Sequence, residues 1–258
     1  MDESELELTE APQVRPGLRW SFTQWETYQT CPFQWKCRNV LRLPRRPSGP
    51  AAARGTEMHK RAEKYIKGEE DHVSPEPGLM FGNKKPAKIA HKFIPILDEF
   101  RLHPNGARHT EHKIAFDSDW NLVPYEHDLA ACVMVLDAVR AGGPWAGPEK
   151  GEYDGQVWVA EWKSGMPKFT HPDQRKMYAL GALKYFYADK VTVTTYYLED
   201  TNPPQALVAE ARHFDQLANL WTGRRTQMLN DEICAPRPGD YCKWCDYSAS
   251  QGGPCHFG

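Results

Sequence analysis

Long apolar runs are missing from this chain. The longest, Leu129 to Leu136, has eight residues, against the roughly 18 to 20 needed to cross a bilayer. A membrane-spanning helix is therefore excluded, and the run reads as a buried strand. Net charge is nearly absent too: 32 Lys and Arg stand against 34 Asp and Glu, a formal charge of −2. That excludes a histone-like polycation but leaves room for a local nucleic-acid patch. The first ten residues hold Asp2, Glu3, Glu5, Glu7 and Glu10 without the apolar stretch of a secretory signal. A soluble cytoplasmic protein without membrane partners is expected. An even spread of cysteines is lacking as well. Of seven, Cys31, Cys37 and Cys132 are scattered, while Cys234, Cys242, Cys245 and Cys255 crowd the last 25 residues. An odd, clustered set argues against a disulfide framework and for a metal site.

With 258 residues, 40% hydrophobic and 26% charged, the chain suits one large domain or a domain with a small appended module. Residues 1–18 read as an acidic tail. Ser21 and Gln24 form a capping-box pattern opening an aromatic-rich helix with Trp25, Tyr28 and Trp35. Pro32 should break that helix just after Cys31. A second helix is expected from Ala51 to Ile66, stopped by Gly68, and a third over 86–101, across a Pro/Gly-rich loop at 69–83. Strands follow near 109–116, 129–139 and 156–163, the last two separated by a turn-rich segment ending in Asp154-Gly155. Then come a helix near 172–187, strands near 191–198 and 206–212, and a helix over 215–229. The layout is α/β (α+β), divided into a tail (1–18), a helical region (19–105), a core (106–232) and a cysteine-rich tail (233–258). Between Lys36 and Lys67 ten Lys or Arg face only two Glu. Part of that excess is an ordinary solvated helix face; the rest reads as a track for a phosphate backbone.

The informative stretch is VWVAEWKSG. Alternation puts Val157, Val159, Glu161 and Lys163 on one face of a strand and Trp158, Ala160 and Trp162 on the other. Alone, Glu-x-Lys at a strand end is most often a surface ion pair. The preceding strand changes the balance, because Asp137 interrupts the apolar run LAACVMVLDAV, and a lone buried carboxylate must be paired or bound to a cation. If the strands are neighbours, Asp137 and Glu161 converge as oxygen ligands for Mg²⁺ or Mn²⁺, with Lys163 near the attacking water. That chemistry hydrolyses phosphodiesters.

Asp137, Glu161 and Lys163 resemble the signature of the PD-(D/E)XK nuclease superfamily, and further residues resemble its RecB-like branch. In RGTEMHKRAE, Gly55 and His59 are similar to a Gly-x-x-x-His motif, which implies His59 as a metal ligand. Gln174 and Tyr178 match Gln-x-x-x-Tyr, which implies a place near the DNA and the active site. Glu111 falls on the first core strand, where relatives often carry a glutamate. Taken singly, His59 reads as a surface histidine, Tyr178 as core and Gln174 as solvated; the ordered set is what carries the resemblance. Its fold implies a central mixed sheet flanked by helices.

Cys242-x-x-Cys245 is a chelating pair, followed by Cys255 and preceded far upstream by Cys31. One cysteine before the core and three after it is similar to the CRISPR-associated RecB-like iron–sulfur exonucleases and the AddB nuclease domain. The resemblance implies a 4Fe–4S cluster on Cys31, Cys242, Cys245 and Cys255, stapling the N-terminal helices to the tail. The gap before Cys255 is longer than in relatives, and Cys234 is close enough to replace a ligand. By spacing alone, zinc suits four thiolates equally. Cys132 reads as core, and Cys37 lies on another helix face. Trp25, Tyr28 and Trp35 are either base-stacking or core.

The implied function is a Mg²⁺- or Mn²⁺-dependent DNA exonuclease acting on single strands or duplex ends, 5′-to-3′, in recombination, replication, repair or CRISPR-type processing. Recombination or CRISPR adaptation proteins are implied partners, and an oligomer is open. Two other readings remain: a non-catalytic DNA-binding partner, and a zinc-stabilised interaction protein.

Overall fold

Pro32 decides the shape of the N-terminal segment. Helix α1 (Phe22–Thr30) stops at an extended Cys31, and Pro32 opens α2 (Pro32–Trp35), where its missing N–H has no partner to lose. The chain continues as a π-helical turn, Lys36–Val40. The computed structural model describes residues 18–47, 49–74, 78–80, 82–83, 86, 88–103, 107–141, 155–168 and 171–258. Most of the acidic tail, most of the turn-rich segment before Gly155 and parts of the 69–83 loop lie outside them. Ser21 sits at the α1 N-cap without a side-chain hydrogen bond. The expected capping box does not form, because Gln24 Nε2 donates to the Arg19 carbonyl at 2.8 Å.

Helix α3 (Pro50–Lys67) ends at Gly68, whose φ of 78° is the left-handed conformation glycine tolerates. Helix α4 (Ile94–Arg101) starts later than the expected residue 86, after a 3₁₀ turn at His91–Phe93. Pro95 fits only a first turn, and the Ala90 N–H donates to the Leu198 carbonyl at 2.8 Å rather than to a helix.

The sheet runs in chain order: β1 (Arg108–Phe116), β2 (Cys132–Ala141), β3 (Gln156–Lys163), β4 (Lys190–Tyr197) and β5 (Gln205–Glu210). All neighbours are antiparallel except β3 and β4. That parallel pair requires a crossover, which is α5 (His171–Tyr185); α6 (Phe214–Leu229) follows β5. β2 begins at Cys132, not Leu129. The His127 carbonyl and ring nitrogen take the N–H groups of Ala130 and Leu129, which bends that segment into a turn.

Helices cover both faces. On one, Val157, Val159, Val191 and Val193 pack with α5, α6 and a cluster of N-terminal aromatics. Trp20 and Trp25 lie 5.8 and 6.3 Å from Trp221 of α6. Trp25, Tyr28 and Trp35 are buried there, so they are core and not base-stacking surfaces. On the other face Ala138, Ala160 and Trp162 pack with α3 and α4 through Met58, Leu97 and Phe100. This is the expected α/β sheet flanked by helices.

Hydrogen bonds tie the N-terminal helices to the C-terminal segment. Tyr28 donates to Asp231 at 2.9 Å, Arg237 to the Gln29 carbonyl at 2.6 Å, and Tyr241 to the Thr30 carbonyl at 2.9 Å.

Burial gives the fold an acid limit. His112 lies under Tyr185 and Phe186. Burial, then the neighbouring His109, pushes its pKa down to about 4, and burial followed by Lys163 does the same to His171. Above pH 6.5 both rings are neutral folded or unfolded; below it the unfolded chain takes up protons that the folded chain refuses until about pH 4. Stability therefore falls between these limits, by at most about 1.4 kcal/mol per pH unit for each proton. Urea denaturation at pH 7.5 and 5 is expected to show a lower midpoint at pH 5, and His112→Phe a smaller difference.

Candidate active site

β2 and β3 pair only through Ala138–Ala141 and Val157–Ala160. The next residue on each strand is a carboxylate, Asp137 and Glu161, so the two acids stand where the ladder opens. Asp137 Oδ2 accepts the Trp162 N–H at 2.8 Å. Both side chains are buried.

β1 supplies a third acid by a local irregularity. Glu111 has φ 48°, a left-handed conformation unusual for a residue with a side chain. Around it, His109 and His112 share one face with ring centroids 4.6 Å apart, although a regular strand puts residues three apart on opposite faces. Leu136 and Val139 of β2 likewise both enter one core cluster. Both strands switch face at Glu111 and Asp137, while the flanking pairs Thr110–Ala138 and His112–Leu136 keep register. The outcome is that His59, Glu111 and Asp137 offer ligand atoms within 4.8 Å of one another.

His59 comes from α3, which reaches the sheet opening because Gly55 lets it approach closely. A Cβ at that position would lie 2.9 Å from Ser164 Oγ. His59 Nδ1 is 3.4 Å from Asp137 Oδ2. A cleft of about 510 Å³, lined by Gly55, Thr56, His59, Lys60, Glu63 and Glu111, opens beside them. Lys60 and Glu63 on its wall carry no signal in the sequence that distinguishes them from other helix-surface charges.

Glu161 stands outside the three-residue group. Its Oε1 accepts from Lys163 Nζ and from Gln174 Nε2, the latter at 2.8 Å, and Gln174 also donates to the Tyr178 hydroxyl at 3.0 Å. Gln174 and Tyr178 are both buried, so they hold Glu161 in place rather than face the cleft. Glu161 Oε2 is buried with no hydrogen-bond partner among the described residues.

The electrostatics suit a divalent cation. Burial, then Asp137, raises the Glu161 carboxyl above its ordinary range. Burial pushes Asp137 up too, but the His59 ring outweighs it and holds the pKa below the ordinary value. Burial would lower His59, yet the Asp137 carboxylate lifts it to about 9. Burial likewise opposes the Lys163 charge, and Glu161 overcomes it. Three carboxylates face two cations, the Lys163 ammonium and a His59 ring protonated near neutrality, and still leave one negative charge and an unsatisfied oxygen, an environment that suits a divalent cation once His59 gives up its proton to bind it.

The cysteines named from the sequence also come together. Cys31, Cys242, Cys245 and Cys255 line one small pocket, about 10 Å³, with Tyr241 and Ser248. Cys31 Sγ accepts the Arg237 N–H and Cys242 Sγ the Gly239 N–H, both at 3.4 Å. Cys234 is not on this wall, and its thiol donates to the Asp231 carbonyl. Cys132 is core, as expected. Cys37 is fully buried, and the nearby Cys245, Cys255 and Cys31 add to the burial that raises its pKa to about 11. The six-residue step from Cys31 hid that proximity, because the break at Pro32 and the π-helical turn spoil regular helical spacing.

Five of the ten basic residues are paired with acids. Arg46, Arg54, Arg61, Lys64 and Lys67 face Asp246, Glu199, Glu57, Glu70 and Glu63. The expected continuous phosphate track is therefore interrupted.

Residues 19–92 match the PD-(D/E)XK nuclease superfamily. That segment contains His59 and Cys31 and supports a nuclease; the three carboxylates and Lys163 lie beyond it. No curated protein matches the chain in sequence. Among solved structures, the protein SSO0001 superposes with TM-score 0.43 at 15% identity, over 93% of this chain and 88% of its own. A candidate exonuclease from Eubacterium rectale gives TM-score 0.44 at 12% identity, over 95% and 92%.

Proposed function

We propose that the chain is a divalent-metal-dependent deoxyribonuclease that degrades single-stranded DNA from an end, 5′-to-3′. The observation that carries the hydrolytic reading is the opening between β2 and β3, where Asp137, Glu161 and Glu111 meet His59 and Lys163 and acids outnumber cations. The preference for ends, polarity and single strands rests on the resemblance of the motifs. So does a role in recombination, replication, repair or CRISPR-type processing.

His59, Glu111, Asp137 and Glu161 are the residues that would hold Mg²⁺ or Mn²⁺. Such an ion supplies Lewis acidity toward the phosphate and lowers the pKa of the attacking water. Lys163 keeps its charge beside Glu161, so it can orient the nucleophile and stabilise charge developing on the phosphate oxygens. Gln174 fixes Glu161 Oε1 and leaves Oε2 to the metal. Gln174→Ala should therefore act through Glu161. Metal affinity and activity are expected to fall by about 10- to 100-fold, with the activity loss partly relieved at high Mn²⁺.

The resemblance of the motifs favours a 4Fe–4S cluster over zinc on Cys31, Cys242, Cys245 and Cys255, although four thiolates suit either. That these four line one pocket supports a shared centre.

End-labelled single-stranded DNA incubated with anaerobically purified protein tests the reading. Degradation is expected with Mn²⁺, more slowly with Mg²⁺ because Mg²⁺ demands near-ideal octahedral geometry and gives up its waters reluctantly, and not in EDTA. Release of a 5′ label first gives the polarity. Binding without metal-dependent cleavage would instead make the chain a DNA-binding partner.

A further inference from the structure

The loop joining Cys242 to Cys245 carries Trp244, which is 70% exposed. A single exposed aromatic is ordinary, but the backbone of this loop is tied down and its indole borders a basic pocket. Arg46 donates to the Trp244 carbonyl at 3.0 Å, to Asp246 at 2.8 Å and to Gln251 at 2.6 Å, pinning the loop from the N-terminal side. Lys243 Nζ lies 5.2 Å from the centre of the indole ring. Arg45, Arg46, Pro47, Gly49, Trp244 and Asp246 enclose an open pocket of about 770 Å³. Burial, then the nearby Arg45, disfavours the Arg38 charge, and both arginines lie close to Tyr247, so positive charge is gathered here. Two acids share the patch, but Asp246 is paired to Arg46 and Asp240 to Lys243.

An exposed indole on an anchored loop beside excess arginine is what a single nucleic-acid strand recognises: a flat surface for a base and cations for its phosphates. Gly49 of this pocket immediately precedes α3, and His59 lies on the same helix. Ten residues of helix span about 15 Å. At the ~3.4 Å step of a stacked strand this is about four nucleotides, fewer if the strand is stretched.

We propose that Trp244 is a base-stacking platform, with Arg45 a phosphate contact, for single-stranded DNA leading into the cleft beside His59. This deepens the nuclease reading and rests on it. It also gives the cysteine centre a role in substrate grip, since Cys242 and Cys245 flank Lys243 and Trp244 and line the cluster pocket.

The test is fluorescence anisotropy of a labelled oligothymidine with the full-length, cluster-loaded protein in EDTA. Trp244→Ala is expected to weaken binding about tenfold and Trp244→Phe only slightly, with absorbance near 400 nm unchanged in both. Arg45→Ala should lower the slope of log affinity against log salt by about one. Wild type that binds, together with a Trp244→Ala variant that binds equally well, overturns the platform and leaves the nuclease reading standing. Wild type that fails to bind the strand overturns both.

Discussion

Lys163→Ala is expected to lose about 10³-fold or more of the metal-dependent cleavage of single-stranded DNA, with the fold and Mn²⁺ binding retained. The size follows from removing a preorganised charge where negative charge develops, a loss of 10²- to 10³-fold even for a single neutral donor. Retention of the metal follows from the geometry, because Lys163 contacts Glu161 Oε1 while Oε2 is the oxygen left without a partner. Lys163→Ala also leaves Gln174 to hold the carboxylate. Single-turnover rates at saturating Mn²⁺ check the prediction. A variant that cleaves at the wild-type rate removes Lys163 from the chemistry.

The second large effect is at the cysteines. Cys245→Ala is expected to abolish the absorbance near 400 nm and to free the C-terminal segment to proteolysis. Joining Cys31 to Cys245 closes a loop of more than 200 residues, for which chain-entropy arguments give about 5 kcal/mol. The measured loss should be smaller, about 2–5 kcal/mol, because Tyr28, Arg237 and Tyr241 still bond across the same junction. Denaturant titration and limited proteolysis, wild type against variant, measure it. Cys234→Ala, whose thiol faces the Asp231 carbonyl, should keep the absorbance.

Much of the sheet was legible from period and punctuation. Alternation in VWVAEWK placed Glu161 and Lys163 on one face because β3 is regular, and Pro32 and Gly68 ended their helices for local steric reasons. Tertiary bonds decided what was misread: the Ala90 N–H goes to Leu198, and His127 turns the segment before β2. Glu111 was visible as a glutamate on β1, but no sequence signal announces the left-handed backbone that turns it toward Asp137. The roles of Gln174 and Tyr178 were placed near the DNA. Their burial is set by α5, which is enclosed around most of its circumference and so lacks a clear polar face in its sequence. Trp244 has no distinguishing signal in the sequence; only the fold shows that it is exposed beside the basic pocket.

The most direct test of the central claim compares wild type with Asp137→Asn on a 5′-labelled single strand in Mn²⁺. That substitution removes one charge and little volume at the point where β2 and β3 part. The account predicts steady loss of label from the wild-type reaction and a variant at the EDTA baseline, with matching unfolding curves. An Asp137→Asn protein as active as wild type would contradict it.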